Sequence, residues 1–288
     1  LPLSIALALA SGVGPEAGIF TAIVAGFVIS ALGGSSVQIA GPTAAFATIV
    51  AGIVAKDGLD GLVISTILAG IFLILMGLCH FGSLIKFIPY TITTGFTSGI
   101  AVTIVIGQLK DFFGVTYPDG VKPIETTEQF KAFIENISTM NTAALIVGIV
   151  SLAILIISPV IFKKIPGSLI AVIVGILMVK FLPLKVSTIG NLYTISNLLP
   201  AFHLPAVNLH IIENALPNAF TIAVLAAIES LLSCVVADGM INGKHRSDME
   251  LVAQGAGNIA SALFGGIPAT GAIARTAANI KNGGRTPV

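Results

Sequence analysis

The sequence predicts an all-α polytopic membrane protein in which two short strand-like stretches lead into half-helices. Charged residues make up 9% of the 288 residues, hydrophobic residues make up 55%, and the mean hydropathy is +1.02, whereas soluble domains carry about 25% charged residues. Residues 17–55 are 39 consecutive positions without Asp, Glu, Lys or Arg, more than the ~20 that cross the hydrocarbon once. Two apolar segments interrupted by Gly and Pro predict the strand-like stretches.

Breaks at charges, prolines and glycines predict the helices in order. Gly14-Pro15 separates the first two, Gly33-Gly34 ends the second, and the charges from Lys56 to Asp60 separate the third from the fourth. The predicted helices lie near 1–13, 16–32, 42–55, 60–79, 87–109, 141–162, 166–182, 214–236, 249–264 and 271–281.

The loops between these helices indicate an orientation. If the helices alternate in direction, most of the basic clusters share one side, which the positive-inside rule predicts to be cytoplasmic. The two longest connections, 111–140 and 183–213, are then expected outside, as surface helices or ordered loops. The basic residues on the predicted cytoplasmic side are Lys86, Lys163, Lys164, Lys244, Arg246, Lys281 and Arg285.

The two interrupted segments are GGSSVQIAGPTAAFATIVAG, from Gly33, and FGGIPATGAIARTAANIKNG, from Phe264. Each predicts extended backbone, at 35–41 and 266–271, that feeds a half-helix starting at Thr43 or near Ala272. Irregular backbone within a membrane is tolerated only where it lines a protein cavity. The two helix starts are expected to face each other near the membrane midplane and to aim N–H groups at an anion. A pair of ordinary Pro-kinked helices is the alternative.

Two ionisable residues lie in apolar stretches. Arg275 follows a run from Leu251 to Ala274 that contains no Asp, Glu, Lys or Arg, and Glu229 is set in AFTIAVLAAIESLLSCVVAD. Such groups within membrane spans usually face a cavity and serve a substrate or an ion. Glu229 is the one carboxyl expected to lie deep in a span. The alternatives are a mutually neutralised structural pair or a snorkelling arginine.

Several functions are excluded or disfavoured. A net charge of +1 excludes a basic face for nucleic acid. The four histidines lack metal-ligand spacing and no Ser/His/Asp arrangement is apparent, so we expect no metal, no cofactor and no enzymatic activity. The GxGxxA pattern in QGAGNIA, from Gln254, lacks a surrounding strand–helix unit, and we interpret it as small residues for close helix packing.

Six motifs in order resemble the sulfate permease (SulP) family of anion transporters, over essentially the whole chain. The motifs are LPLSIALALASGV, GGSSVQIAGPTAAF, IPYTITTGFTSGIAVTIVIGQLKDFFG, AAIESLLSCVVADGM, KHRSDMELVAQGAGNIASALFGG and ATGAIARTAANIKNGGRTP. The resemblance implies a uracil-permease-like fold of seven plus seven inverted segments, here truncated after about the tenth. It further implies a first core part at 1–79, a gate part at 84–182 and a second core part at 214–288. The sequence is therefore expected to be a fragment that lacks the remaining helices and the cytoplasmic STAS domain usual in the family.

The resemblance also implies site residues. The first half-helix contributes Thr43, Ala44 and Ala45, and the second contributes Gly271, Ala272, Ile273 and Arg275; their N–H groups, with the guanidinium, would hold the anion. Glu229 matches an acidic position that looks like part of a sodium site in the bicarbonate-transporting branch, and Ser233 lies on the same helical face. Members of that branch have glycine in place of Arg275, which puts sodium coupling in doubt and favours a proton. Glu229 is then either a proton carrier or a permanent counter-ion.

The function expected from these features is secondary active transport of a small anion, sulfate or a C4-dicarboxylate, with a proton. Alternating access would come from the core moving against the gate, in the inner or plasma membrane, and a homodimer is left open. The sequence most resembles the bacterial dicarboxylate-transporting members. A bicarbonate transporter and an anion channel or exchanger of the same family are alternatives. A nucleobase permease is disfavoured because neutral bases do not need a fixed cation such as Arg275.

Overall fold

A computed structural model of the chain describes residues 2–83, 90–118, 120–121, 123–161, 167–182, 184–193, 199–205 and 209–287. The predicted fold class is confirmed, because the described residues form helices joined by loops and one two-stranded sheet. The elements are α1 (Pro2–Ala10), α2 (Pro15–Leu32), β1 (Ala40–Gly41), α3 (Ala47–Leu78), α4 (Tyr90–Phe113), α5 (Thr126–Glu135), α6 (Thr142–Ile161), α7 (Gly167–Phe181), α8 (Ile189–Leu192), α9 (Leu209–Ile241), α10 (Ser247–Leu263), β2 (Thr270–Gly271) and α11 (Ile273–Lys281).

The chain divides into two compact units. Unit 1 comprises Leu1–Ile100 and Ile195–Val288, and unit 2 comprises Ala101–Thr194. Unit 1 holds both strands and the helices α1 to α3 and α9 to α11. The assignment of a core and a gate to parts of the sequence stays a prediction.

Among the described residues, four helical stretches are long and apolar enough to cross a membrane. They are Pro15–Leu32, Ala44–Leu78, Thr142–Ile161 and Ile211–Ile241. Within unit 2, α6 leaves many of its aliphatic side chains exposed, including Ile156 and Val160. Apolar side chains exposed along a long helix are typical of a surface that faces lipid.

Most predicted helices are confirmed with shifted ends. The break expected between 42–55 and 60–79 is confirmed at Gly58, which leaves helical geometry inside α3 with φ 71° and ψ −171° and separates two helical stretches. α9 begins at Leu209 rather than 214, because Glu213, the charge just before the predicted start, lies inside the helix. The connection 111–140 contains α5, as expected, and 183–213 contains α8. Predicted helix positions 1, 87–89, 162 and 166 and the residues Lys86, Lys163 and Lys164 lie outside the described part.

The core of unit 1 lies between α3, α9 and α10. Leu73, Ile222 and Leu251, one from each helix, are fully buried in a single apolar cluster. α10 approaches α3 so closely that a Cβ atom added to Gly255 would lie 2.5 Å from the carbonyl oxygen of Gly70. The close-packing interpretation of QGAGNIA is therefore confirmed.

Candidate functional site

The two interrupted segments meet in an antiparallel pair of strands. Ala40 of β1 is opposite Gly271 of β2, and Gly41 is opposite Thr270. One residue beyond the pair, the Ala272 N–H donates to the Ile39 carbonyl oxygen at 2.9 Å. The predicted strand-like backbone is confirmed at Ala40–Gly41 and Thr270–Gly271, and the alternative of a pair of ordinary Pro-kinked helices is wrong. We call residues 34–39 the first lead-in and residues 266–269 the second lead-in.

Each strand is followed by a helix start. Thr43 has extended geometry, with φ −128° and ψ 158°, before a 3₁₀ turn at Ala44–Phe46 that continues into α3. Ala272 is likewise extended and precedes α11. Neither residue's side chain caps its helix. Because the first turn of a helix has no intrahelical partners for its N–H groups, both starts present partial positive charge.

The backbone N–H groups predicted to bind the anion differ in whether another protein group already accepts them. The N–H of Ala272 is occupied by Ile39 in this structure, whereas the N–H groups from Ile273 onward belong to the first turn of α11. Ala44 and Ala45 are partly buried at the start of α3, and Gly271 is buried within β2. The strand pairing brings all of these positions to one place in unit 1, as expected, and anion binding there stays a prediction.

Arg275 reaches from α11 to the first half-helix. Its Nη2 donates a hydrogen bond to the Pro42 carbonyl oxygen at 2.5 Å. Nη1 lies beside Gly41, where a Cβ atom would be only 2.9 Å from it. Gly41 has φ 152°, a conformation that residues with side chains rarely adopt. The guanidinium thus lies against the backbone that links β1 to the start of α3.

Glu229 of α9 also contacts the first helix start. Its side chain is 8% exposed, and Oε2 accepts a hydrogen bond from the Thr43 hydroxyl at 3.0 Å. Glu229 and Arg275 are close enough for each to feel the other's charge. No direct ion pair joins them in the described part of the chain, where Arg275 bonds a carbonyl and Glu229 bonds a hydroxyl. Both charged side chains therefore bond residues at the first helix start, Pro42 and Thr43, without contacting each other.

Ser233 connects α9 to the second half-helix, whereas Glu229 of the same helix bonds the first. Its hydroxyl donates to Thr276 Oγ1 at 3.2 Å, and Thr276 Oγ1 also accepts the Ile39 N–H at 3.1 Å. Thr276 thus joins α9, the first lead-in and α11, a role that the sequence analysis missed. Its position four residues after Ala272, on the same face of α11 as that helix start, was the available signal.

The histidine interpretation needs a correction. Asp238 Oδ2 lies 2.7 Å from His245 Nδ1, and Ser247 Oγ lies 3.0 Å from His245 Nε2. The structure therefore does contain a hydrogen-bonded Ser/His/Asp chain, which the sequence analysis did not find. The same Asp238 oxygen accepts the backbone N–H of His245, so we assign these contacts to closing the loop between α9 and α10. The loop brings the three residues together, and their spacing in the sequence gave no sign of it.

Known proteins resemble this chain over its whole length. The model of the sulfate permease family matches residues 1–288. The chain is 43% identical to the "Putative sulfate transporter YvdB" of Bacillus subtilis and 34% identical to the bicarbonate transporter BicA of Picosynechococcus sp.. The alignments cover 100% and 99% of this chain but 54% and 52% of those relatives. The chain thus spans about half the length of the curated relatives it matches.

Solved structures give the same result for the fold. The transmembrane domain of a cyanobacterial bicarbonate transporter BicA superposes with a TM-score of 0.85 at 32% identity, covering 99% of this chain and 74% of that chain. The overall structure of SLC26A9 has a TM-score of 0.82 at 20% identity, covering 99% of this chain and 49% of that chain, and supports the fold alone. With the family model matched from end to end, the chain belongs to the sulfate permease family.

Proposed function

We propose that the whole protein is a secondary active transporter that carries a small anion, sulfate or a C4-dicarboxylate, by alternating access. The observation that carries this proposal is the meeting of two uncapped helix starts across β1 and β2, with the Arg275 guanidinium beside them. The names of the relatives point to sulfate and to bicarbonate, and bicarbonate is the second candidate substrate. A channel or exchanger of the same family is the alternative to coupled transport.

The electrostatics of the helix starts favour a small oxyanion. Each start carries roughly half a positive charge, and Arg275 adds a full one, so an anion here meets both N–H donors and a planar guanidinium. The Pro42 carbonyl oxygen is a weaker partner for that guanidinium than a carboxylate or sulfate, because it carries no net charge and offers one oxygen rather than the two of a bidentate pair. We propose that an arriving anion exchanges with this contact.

Coupling is proposed to use a proton at Glu229. Its carboxyl group accepts a hydrogen bond from Thr43 at the first helix start, and it feels the charge of Arg275. An anion beside Arg275 would offset that positive charge, and a protonated Glu229 is then favoured over a carboxylate. A proton is favoured over sodium because Arg275 already supplies a fixed positive charge. Placement in the inner or plasma membrane and assembly as a homodimer remain proposals.

The experiment is uptake by proteoliposomes that contain the purified full-length protein. Labelled sulfate, succinate and bicarbonate are supplied separately, with and without an inwardly directed proton gradient. We expect one anion class to accumulate against its own gradient only when the proton gradient is present. Flux that equilibrates without accumulation would replace the proposal with a channel or exchanger, and no uptake of any of the three would overturn anion transport.

A further inference from the structure

A buried polar face runs along α10. Glu250, Gln254, Asn258 and Ser261 are spaced by four, four and three residues, which places them on one side of a helix. All four side chains are 0% exposed. We call them the α10 polar face. Glu250 is more completely buried than Glu229, which is 8% exposed; the prediction that no other carboxyl lies as deep in a membrane span as Glu229 stays a prediction.

Glu250 binds the first lead-in. Its Oε2 accepts the N–H groups of Gly34 at 2.9 Å and Ser35 at 3.3 Å, and its Oε1 accepts the Gln38 side-chain amide at 2.7 Å. Gln254 donates a fourth hydrogen bond, to Oε1 at 2.8 Å. This set of four donors suits an ionised carboxylate, which only accepts hydrogen bonds. The first lead-in is therefore held at both of its ends by one side chain of α10.

Asn258 binds the second lead-in in a similar way. Its side-chain amide donates to the Ala269 carbonyl oxygen at 2.8 Å and accepts the Ala269 N–H at 2.9 Å, as a neighbouring strand would. Ser261 donates to the Ile267 carbonyl oxygen at 2.8 Å. Thr21 of α2 accepts the Ile267 N–H at 2.7 Å. The second lead-in is thus held by neutral groups, mostly from the same helix.

These contacts lead directly to the helix starts. A lead-in is not helical, so its buried N–H and C=O groups need partners from elsewhere in the protein. Gln38, which Glu250 binds, precedes Ile39, and Ile39 bonds Thr276 through its N–H and Ala272 through its carbonyl oxygen. Ala269, which Asn258 binds, directly precedes β2. One rigid helix therefore fixes both segments immediately before they pair.

We propose that the α10 polar face sets the separation of the two helix starts, with Glu250 and Asn258 as positioning residues for the anion site. The role in anion binding rests on the proposed function, whereas the role in holding the lead-ins does not. Neither residue would contact the anion. Each acts through the backbone. The loss of either side chain therefore shifts or loosens a helix start, although Arg275 and Glu229 themselves are unchanged.

The first test is hydrogen exchange of the full-length protein in lipid nanodiscs. Glu250→Ala is expected to speed amide exchange in peptides from the first lead-in through Thr43 by roughly tenfold or more, the change expected from losing one strong hydrogen bond. Asn258→Ala is expected to do so across 266–273. Unchanged exchange in these peptides for both variants would overturn the proposal.

The matched control is Asp248→Ala. Asp248 lies in the same turn of α10 and also accepts a backbone N–H, but that N–H belongs to Gly82, after α3, and its other oxygen faces His80. It should leave exchange in both lead-ins unchanged. If Asp248→Ala loosens the lead-ins as much as Glu250→Ala does, the effect comes from fraying of α10 and the positioning role is refuted.

The second test is binding of labelled sulfate at equilibrium, with rescue by a conservative variant. Glu250→Gln keeps one oxygen for Gly34 and Ser35, and the side-chain amides of Gln38 and Gln254, which both donate to the other oxygen, can each turn an oxygen toward the new NH₂ group. Glu250→Gln should therefore keep most of the exchange protection and sulfate affinity of the parent protein. This comparison with the parent stays valid even if Glu250→Ala does not fold. Failure of the glutamine to recover either, in a folded protein, would contradict positioning by hydrogen bonds. If the parent protein binds no sulfate, succinate or bicarbonate, the proposed function fails while the exchange result still decides the positioning role.

Discussion

Glu229 and Glu250 are two buried carboxyl groups on neighbouring helices, and they have opposite surroundings. Glu229 accepts a hydrogen bond from Thr43 and lies near Arg275, whereas Glu250 accepts four hydrogen bonds from two backbone and two side-chain donors. A carboxylate has about four acceptor positions, so those of Glu250 are filled by protein. Burial alone therefore does not distinguish the two carboxyl groups. They differ in spare acceptor capacity next to a charge, which Glu229 has and which suits the proposed coupling role.

The largest effect is expected when the charge beside Glu229 is removed. Arg275→Ala in the full-length protein should weaken anion binding by about 3–5 kcal/mol, the range for losing one partner of a buried charge interaction. Arg275→Lys should recover only part of the affinity, because an ammonium group cannot reproduce the planar fork. Equilibrium binding of labelled sulfate measures both. Unchanged binding in Arg275→Ala would assign the arginine a structural role.

The next effect separates the two carboxyl groups by stability. Glu250→Ala leaves the N–H groups of Gly34 and Ser35 without their acceptor, at about 1–2 kcal/mol each because the Gly34 contact is only partly buried, so a loss of about 2–4 kcal/mol is expected. Glu229→Ala frees only the Thr43 hydroxyl, which can rotate, and should cost about 1 kcal/mol. Thermal unfolding of both variants in the same lipid gives the comparison. Equal losses of stability in the two variants would show that Glu250 and Glu229 do not differ in structural role.

Glu229→Gln should sharpen the comparison further. The amide keeps the shape and can still bond Thr43, but it cannot change its charge, so accumulation driven by a proton gradient should be abolished while anion exchange is partly retained. Uptake with a gradient and exchange without one are the two measurements. Accumulation equal to that of the parent would make Glu229 a fixed counter-ion, and loss of both activities would indicate misfolding.

The smallest effect is expected at the link between α9 and the second half-helix. Ser233→Ala removes one hydrogen bond to Thr276, which still accepts the Ile39 N–H, so anion affinity should fall by only about 1 kcal/mol. Thr276→Val removes the acceptor for both donors and should weaken binding more. Sulfate titrations of the two variants decide the order. The reverse order would show that Ser233 acts on the coupling ion directly rather than through Thr276.

The fold was largely predictable because its helices are interrupted at Gly, Pro and charged residues, which are visible in the local sequence. Gly41-Pro42 and the glycines around Pro268 mark the two interrupted segments, and each contains a strand that pairs with the other. Length and apolar composition likewise predicted the order of the helices, and the break predicted after residue 55 is found at Gly58. The prediction failed at helix ends such as the start of α9, where Glu213 lies inside the helix.

The site was predictable only where a residue carries a charge that is unusual for its apolar surroundings. Arg275 and Glu229 stand out because charges are rare in apolar spans. Glu250 does not stand out, since an acidic residue in the first turn of a helix is ordinarily stabilised by the helix dipole at the surface. Its burial depends on Gly34, 216 residues away in the chain. Thr276 was missed for a similar reason, because its bonds to Ile39 and Ser233 exist only after folding.

The most direct test of the central claim is to locate a bound anion. Selenate has the shape and charge of sulfate and scatters anomalously, so diffraction from crystals of the full-length protein soaked in selenate would place it. The account predicts one strong peak between the starts of α3 and α11, within hydrogen-bond reach of the Arg275 guanidinium and the Ile273 N–H. A peak away from both helix starts, in crystals that show bound selenate, would contradict the claim that they form the anion site.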